Sequence, residues 1–183
     1  MSVVNRVLNK LGTREGVGDK VARVKTGAYG VTEAARRAIR PSGDLTDREV
    51  AERYLKALYA KWETVRGYEN SPVGVQEALL DCSYNLGPSV MLYEGVVKGL
   101  YEGDYRRVGE AILSSANVGG KSSRGLGKRR AEVYNLMFDG AIQYVRQYED
   151  GTLAYLGEDG KTIYKYTSTK GRHETSSIGV LTV

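Results

Sequence analysis

The sequence predicts an α+β fold that is mostly α-helical: a helical bundle with a small N-terminal β-hairpin and an added C-terminal β-hairpin or sheet. Apolar residues recur at helical spacing as far as residue 148, and β-type runs dominate after it. We therefore expect one main domain over residues 1–148 and a β-rich appendage over residues 149–183. The chain has 183 residues, 41% of them apolar, which is enough for one sizeable core.

The first predicted helix carries an i, i+3, i+4, i+7 apolar stripe made of Val4, Val7, Leu8 and Leu11. It ends just before Glu15, whose carboxylate would then leave the packed body and face a cleft. Residues 23–30 mix β-formers with glycines, which predicts a short hairpin. A helix-end acid beside a hairpin is a candidate catalytic corner. The alternative is that Glu15 is a solvated surface residue and Thr26 an ordinary strand residue.

The middle of the chain predicts a series of helices. Residues 31–39 form a short one that Pro41 stops, and the capping box of Thr46 and Glu49 opens a long one. The buried face of that long helix should hold Val50, Tyr54, Leu58, Trp62 and Val65. Ser71-Pro72 then starts the central buried helix, which Gly87 ends. Its apolar stripe consists of Val75, Leu79, Cys82 and Leu86.

The last helices and the tail follow the same logic. Helices are expected over residues 90–101, 105–113 and 128–138, with Asp104 as a cap and a loop over residues 114–127. Two β-type runs, residues 152–156 and 162–166, are joined by a turn containing Asp159-Gly160, and residues 178–183 could add a third strand. So small a sheet must pack on the bundle or on a partner. His173 should be an ordinary loop residue.

Positive charge is concentrated in two places. Residues 1–40 hold nine basic and three acidic groups, a net charge of +6, and residues 121–130 hold five basic and no acidic groups. If the fold brings these segments together, they form a cationic face that attracts a polyanion, either nucleic acid or bacterial cell wall. The alternative is a solvated charged face.

Several classes of protein and site are excluded by what the sequence lacks. One Cys and one His leave no intramolecular disulfide and argue against a His/Cys metal site, so we expect no metal and no cofactor. No apolar run is long enough to span a membrane, and residues 1–11 do not form a signal-peptide core. We expect a protein that begins in the cytoplasm, without membrane insertion, as a monomer.

Three segments in a fixed order carry a resemblance to a known family. They are Arg14-Glu15-Gly16 with Thr26-Gly27-Ala28-Tyr29-Gly30; the helix from Gln76-Glu77-Ala78-Leu79 to Asn85-Leu86-Gly87; and Gly119-Gly120-Lys121, Gly125-Leu126 and Arg129-Arg130-Ala131-Glu132. In these elements, which span about residues 4–138, the chain resembles the phage-type lysozymes, a glycoside hydrolase family of endolysins. The joint match is far more specific than any one motif.

The resemblance implies a lysozyme-like bundle that hydrolyses the β-1,4 bond between N-acetylmuramic acid and N-acetylglucosamine in peptidoglycan. Glu15 matches the general acid, and Thr26 matches the threonine that helps to hold the attacking water. The substrate-binding residues are expected among the remaining matched positions: Tyr29, Gly30, Gly119, Gly120, Lys121, Arg129 and Arg130. The arginine pair could instead serve packing, or support the helix end that carries Glu15.

The chain departs from the family in the second carboxylate, which the family places in a longer hairpin. Here the only acid between Glu15 and Thr26 is Asp19. Either Asp19 takes over, or Thr26 and main-chain groups hold the water alone. A second possible function is that of a lytic transglycosylase, which needs one glutamate and no activated water. A third possible function is that of a non-catalytic virion structural or nucleic-acid-binding protein, although no recognised nucleic-acid motif is present.

The expected partner is bacterial peptidoglycan. From the host cytoplasm the enzyme would reach the wall through a holin-type lesion, or it would be carried in the phage particle. The C-terminal β segment is compatible with docking to a virion component, for example by strand addition.

Overall fold

The computed structural model describes residues 1–13, 28–39, 44–118, 120–167 and 177–183. These residues form seven α-helices, a two-stranded ladder and a four-stranded antiparallel sheet, which confirms the α+β, mostly helical prediction. The chain divides into two compact units, Met1–Met91 and Leu92–Val183. The hairpin predicted over residues 23–30 falls largely outside the described residues. Its last three residues, Ala28–Gly30, form a 3-10 turn.

The first unit contains the helices α1 (Val3–Thr13), α2 (Glu33–Ala38), α3 (Asp47–Glu63) and α4 (Val73–Leu86). All four stripe residues of α1 are buried, as predicted. The capping box at the start of α3 is confirmed, because the Thr46 hydroxyl accepts from the Glu49 amide while the Glu49 carboxylate accepts from the Thr46 amide. These local hydrogen bonds satisfy backbone donors that a helix start leaves free.

Helix α4 is the buried centre of this unit, as expected. Ten of its fourteen residues are buried, Cys82 among them. The prediction of Ser71 as its N-cap was wrong. The N-cap residue is Pro72, and the Ser71 hydroxyl instead donates to the Tyr68 carbonyl at 2.5 Å. Gly87 ends the helix with φ 82°, a conformation that favours glycine.

A polar contact inside the apolar core joins α3 to α4. The indole Nε1 of Trp62 donates to the Ser83 hydroxyl at 3.0 Å, and both residues are fully buried. The indole also stacks on Tyr68, with ring centroids 5.1 Å apart, and the Tyr68 hydroxyl donates to the Gln76 carbonyl at 2.9 Å. The aromatic pair therefore combines large apolar burial with satisfied polar ends.

The second unit contains α5 (Glu94–Glu102), α6 (Tyr105–Leu113) and α7 (Arg124–Met137). Asp104 caps α6, as predicted, by accepting from the Arg107 amide at 3.2 Å. The helix predicted over residues 90–101 was wrong at its start, because Pro88–Leu92 forms a separate 3-10 turn and Tyr93 is extended. The loop predicted over residues 114–127 was wrong at its end, because Ser123 caps α7 four residues earlier than expected.

Six short strands complete this unit. Strands β1 (Asn117–Val118) and β2 (Lys121–Ser122) pair with each other. Strands β3 (Tyr144–Tyr148), β4 (Leu153–Leu156), β5 (Thr162–Tyr166) and β6 (Ser177–Thr182) form the larger sheet in the order β5-β4-β3-β6. The predicted β4–β5 hairpin and the third strand β6 are confirmed, and β3, which the sequence did not predict, is the strand that joins them.

One face of this sheet shares a hydrophobic core with the helices. Its buried members are Leu113, Ala116, Leu126, Ala131, Tyr134, Ile142, Val145, Leu153 and Tyr155. Residue 149, where we expected the appendage to begin, lies in the turn between β3 and β4. The functional division at that residue stays a prediction. None of the helices in the described part of the chain is long and apolar enough to cross a bilayer.

The Trp62–Ser83 contact makes a stability prediction. Ser83→Ala leaves a buried indole N–H without an acceptor, which should lower the free energy of unfolding by about 1–3 kcal/mol. Urea unfolding followed by tryptophan fluorescence measures this directly, because Trp62 is the single tryptophan of the chain. Ser89→Ala, at an exposed serine, is the control and should change stability by less than about 0.5 kcal/mol. Equal urea midpoints for Ser83→Ala and the control would contradict the prediction.

Candidate functional site

The expected catalytic residues Glu15, Asp19 and Thr26 lie outside the described residues, as does Gly119. The structure describes the residues on either side of them. The flanks of Glu15 and Thr26 are the end of α1 and the turn Ala28–Gly30. The flanks of Gly119 are β1 and the exposed Gly120, which precedes β2.

The end of α1 and the following turn meet at a glycine. Gly12 faces the ring of Tyr29 so closely that a Cβ at this position would lie 2.9 Å from the ring carbon Cε1. Only a residue without a side chain fits this approach unless the ring moves. Glu15 follows Gly12 by three residues, and Thr26 precedes Tyr29 by three. The segment that carries all three expected catalytic residues thus begins and ends at one place.

The turn itself is held in an uncommon backbone conformation. Tyr29 has φ 59° and Gly30 has φ 65°, both in the left-handed region, which costs free energy for a residue with a side chain. The hydroxyl of Tyr84, on α4, donates to the Tyr29 carbonyl at 2.9 Å. Burial raises the pKa of the Tyr84 phenol, and Tyr54 and Asp47 raise it further. The phenol therefore stays neutral and keeps its proton for this bond.

An ion pair with Glu77, a residue of α4, fixes the last turns of α1 against that helix. The Lys10 ammonium donates to a Glu77 carboxylate oxygen, and the Arg6 guanidinium lies 3.9 Å from the other oxygen. The Glu77 side chain is only 8% exposed. A carboxylate this deeply buried needs cationic or hydrogen-bonding partners, because losing them would leave an uncompensated charge. Helix α1 is thereby held in place at Lys10, which precedes Glu15 by five residues in the sequence.

The matched residues of the second unit differ in exposure. Gly120 has φ 79°, and Lys121 is exposed on β2. Arg129 is half-buried, whereas Arg130 is 2% exposed. The Arg130 Nε donates to the Ser115 hydroxyl at 3.0 Å, and its Nη1 has no hydrogen-bond partner among the described residues.

These exposures and the division into units bear on the predicted substrate-binding set. Arg130 is an interior residue of the second unit, while Lys121 is available to a ligand. Tyr29 and Gly30 belong to the first unit. The roles of all these residues in binding substrate stay predictions. Among the residues that the structure covers, no group of three or more His, Cys, Asp or Glu side chains could hold a metal ion.

Two features that position the site were missed in the sequence. The Lys10–Glu77 pair had a usable signal, because a carboxylate on a helix predicted to be buried needs a cation, and Lys10 lies near the end of the neighbouring helix. The Tyr84 contact had no signal in the sequence. Its acceptor is a main-chain carbonyl, and because every residue has a main-chain carbonyl, the sequence does not indicate which one is used.

Comparisons with known proteins identify a family and a similar fold. A family model described as phage lysozyme matches residues 11–132. The fold is similar to that of an endolysin from Escherichia coli O157:H7 phage FAHEc1, with a TM-score of 0.50 and 24% sequence identity over 76% of this chain and 94% of the endolysin. A comparison with curated protein sequences gave no match.

The Tyr84 contact predicts an effect on stability. Tyr84→Phe removes the bond to the Tyr29 carbonyl and should lower the free energy of unfolding near neutral pH by about 1 kcal/mol. Urea unfolding of the variant and of the wild type measures the difference. Tyr105→Phe, at a partly exposed tyrosine at the start of α6, is the matched control and should leave stability unchanged.

The same variant has a distinct pH dependence. Because folding raises the Tyr84 pKa, the stability that its neutral form contributes is complete below the unfolded pKa of about 10 and is lost as pH rises toward the folded pKa. Wild type should therefore lose more stability than Tyr84→Phe between about pH 10 and pH 12. Parallel losses in the two proteins would show that the Tyr84 phenol is not protected by the fold.

Proposed function

The chain belongs to the phage lysozyme family, whose members degrade bacterial peptidoglycan, and from that premise we propose that it is a muramidase. It would hydrolyse the β-1,4 bond between N-acetylmuramic acid and N-acetylglucosamine. The observation that carries this proposal is the approach of Gly12 to the Tyr29 ring. It brings together the two ends of the segment that holds Glu15, Asp19 and Thr26, within the residues that the family model matches.

Glu15 is the proposed general acid. Cleavage of a glycosidic bond requires a proton on the leaving oxygen while positive charge develops at the sugar carbon. A carboxylic acid just beyond a helix end can deliver that proton if the helix end is held still. The Lys10–Glu77 ion pair and the packing of Gly12 on Tyr29 supply this rigidity, since positioning accounts for a large share of enzymatic rate enhancement.

The water that completes hydrolysis is the proposed task of Thr26, with Asp19 as the second carboxylate. Thr26 precedes Tyr29 by three residues in the sequence, and the hydrogen bond from Tyr84 on the central helix holds the Tyr29 turn. A hydroxyl can orient a water but does not remove its proton as a carboxylate does. Asp19 is the only acid of the intervening segment that can take the proton.

A lytic transglycosylase is the second candidate, and the same segment favours it. Asp19 is the only acid between Glu15 and Thr26, and this stretch of sequence is shorter than the one in which hydrolysing relatives carry their second carboxylate. In a transglycosylase Glu15 would serve as acid and then base, and a hydroxyl of the sugar itself would attack. The product would be a 1,6-anhydro sugar rather than a reducing end.

Substrate contacts are proposed for Tyr29 and Gly30 beside the catalytic segment, and for Gly119, Gly120, Lys121, Arg129 and Arg130 in the other unit. Lys121 has the exposure that direct contact requires. Arg130 is buried beside Ser115, so it would support the exposed part of this set rather than bind sugar itself.

Two routes to the wall are proposed for the enzyme, a holin-type lesion in the host membrane or carriage in the phage particle. The two differ in when the protein is found. A virion-associated enzyme is present in purified particles, in which case the C-terminal strands are the proposed docking segment for a virion component. An endolysin is found only late in infection.

The general acid is tested by Glu15→Gln. This substitution keeps the size of the side chain but removes the transferable proton, so lysis of permeabilised Gram-negative cells, followed by turbidity, should fall by about 10²- to 10⁴-fold. Glu33→Gln is the matched control. Its carboxylate is 79% exposed on α2 and pairs with Arg37 one turn away, so its lysis rate should equal that of wild type. Equal lysis by Glu15→Gln and wild type would reject the catalytic assignment and leave a structural or nucleic-acid-binding role.

The reaction type is tested by mass spectrometry of digested peptidoglycan. Hydrolysis should give reducing ends, and Thr26→Ala and Asp19→Asn should each lower the rate of their formation by at least about tenfold, because each removes a group that handles water. Anhydro ends in the wild-type digest would identify a transglycosylase. An undiminished rate of reducing-end formation in Asp19→Asn would remove that residue from the mechanism.

A further inference from the structure

We propose that the outer face of the C-terminal sheet is a second peptidoglycan-binding surface, separate from the segment that cleaves the bond. Its residues are Tyr144, Arg146 and Tyr148 on β3 and Lys165 on β5. This inference rests on the proposed function for the identity of the polymer. It concerns residues beyond position 132, where the match to the family model ends.

The strand register places these side chains on one face. Along β3, Val145 points into the shared hydrophobic core, so its neighbours Tyr144 and Arg146 point away from the core. Arg146 pairs with Ala154 on β4, and Ala154 pairs with Lys165 on β5. The two residues therefore stand in one row across the sheet, with their Cα atoms two strand spacings or about 10 Å apart.

Tyr148 lies between the two cations and contacts both. The Lys165 Nζ lies 5.9 Å from the centroid of the Tyr148 ring, and the Arg146 Nη1 donates to the Tyr148 hydroxyl at 3.4 Å. These contacts hold two flexible cationic side chains against a rigid ring, which lowers the entropy that they would lose on binding a ligand. Tyr144, half-buried on the same face, continues the aromatic surface along β3.

The charge of both cations is available to a ligand. Among the ion pairs formed by the described residues, none involves Arg146 or Lys165. The acidic residues of this region that the structure describes lie in the turns instead, in the β3–β4 turn and the β4–β5 turn. Helix cations of the same unit behave differently, because Lys98 pairs with Glu94, and Arg106 pairs with Glu110.

This combination suits a glycan that carries carboxylates. Arginine and lysine bind carboxylates through charge-assisted hydrogen bonds, and tyrosine offers an apolar ring for the C–H face of a sugar together with a hydroxyl for its polar edge. Peptidoglycan presents both groups, sugar rings along the strand and carboxylates on its peptide stems.

Nucleic acid fits the same face less well. A nucleic acid carries a phosphate at every nucleotide, and proteins that bind single strands follow it with a continuous cationic groove and open aromatic faces for the bases. Here the cations are two, and both contact one tyrosine instead of following a groove. Peptidoglycan is therefore the ligand that we assign.

The test is retention of the full chain on purified peptidoglycan sacculi in a sedimentation assay. All proteins carry Glu15→Gln so that the polymer stays intact. Adding Arg146→Gln and Lys165→Gln should weaken retention about fivefold at low salt, and should flatten its salt dependence because two cations of this face are lost. The matched control adds Lys98→Gln and Arg106→Gln, which remove the same charges from helix ion pairs. Its retention should stay within about twofold of the Glu15→Gln parent.

A single charge reversal at Lys165 tests the same face with a substitution that should leave folding intact, because Lys165 is exposed. Lys165→Glu should weaken retention at least as much as the double variant, with an unchanged thermal midpoint. Retention of both variants equal to that of their parent would overturn the proposal. So would unchanged retention on sacculi together with lost binding to single-stranded DNA, which would mark the face as a nucleic-acid surface.

The outcome is separable from that of the proposed function. Cleavage is measured with the wild-type chain, which keeps Glu15, on soluble peptidoglycan fragments. Retention on an insoluble wall does not affect this measurement. A chain that fails to cleave but shows Arg146- and Lys165-dependent retention rejects the muramidase assignment alone. A chain that cleaves but shows no such retention rejects the second surface alone.

Discussion

Helix α4 is buried on nearly all sides, so its polar side chains must form their hydrogen bonds and ion pairs within the protein. Their partners belong to several different elements of the first unit. An unsatisfied buried polar group costs about 1–3 kcal/mol, and an unpaired buried charge costs more. Among the residues of α4 that meet this demand are, with their partners, Gln76 with the carbonyls of Glu69 and Ser71, Glu77 with Lys10, Ser83 with Trp62, and Tyr84 with the Tyr29 carbonyl. One helix thereby fixes α1, α3 and the turn Ala28–Gly30. Both flanks of the segment that holds Glu15 and Thr26 are tied to it.

The helices were predictable because their signals are local. The stripe of α1, the capping box of α3 and the Asp104 cap of α6 each depend on residues within a few positions. The errors occurred where a local signal had two outcomes. Ser123 can end a loop or cap a helix, and it caps α7. Strand β3 was missed because Arg146 and Gln147 weaken its alternation. It is a strand because β4 and β6 pair with its two edges, which is a non-local cause.

For the candidate site, the order and spacing of motifs along the chain predicted the family and the segment of interest. They could not predict what holds that segment. The close approach of Gly12 to Tyr29 depends on where a helix axis and a ring meet, and nothing around Gly12 in the sequence marks it as a contact. Arg130 shows the opposite difficulty. A basic run reads as a surface feature, yet helical periodicity turns this arginine inward to Ser115 while Lys128 and Arg129 stay half-buried.

The sheet beyond the family match is built onto the matched segment through a glycine. A Cβ on Gly127, in α7, would lie 3.0 Å from Val145 and 3.2 Å from Leu153, closer than packed side chains normally come. Gly127 lies inside the matched residues and the two strand residues lie beyond them. The glycine at this position of α7 therefore leaves the space into which the sheet packs. Because that packing uses one face of the sheet for the core, Arg146, Tyr148 and Lys165 stand on the opposite face, which is the face that we propose as the second binding surface.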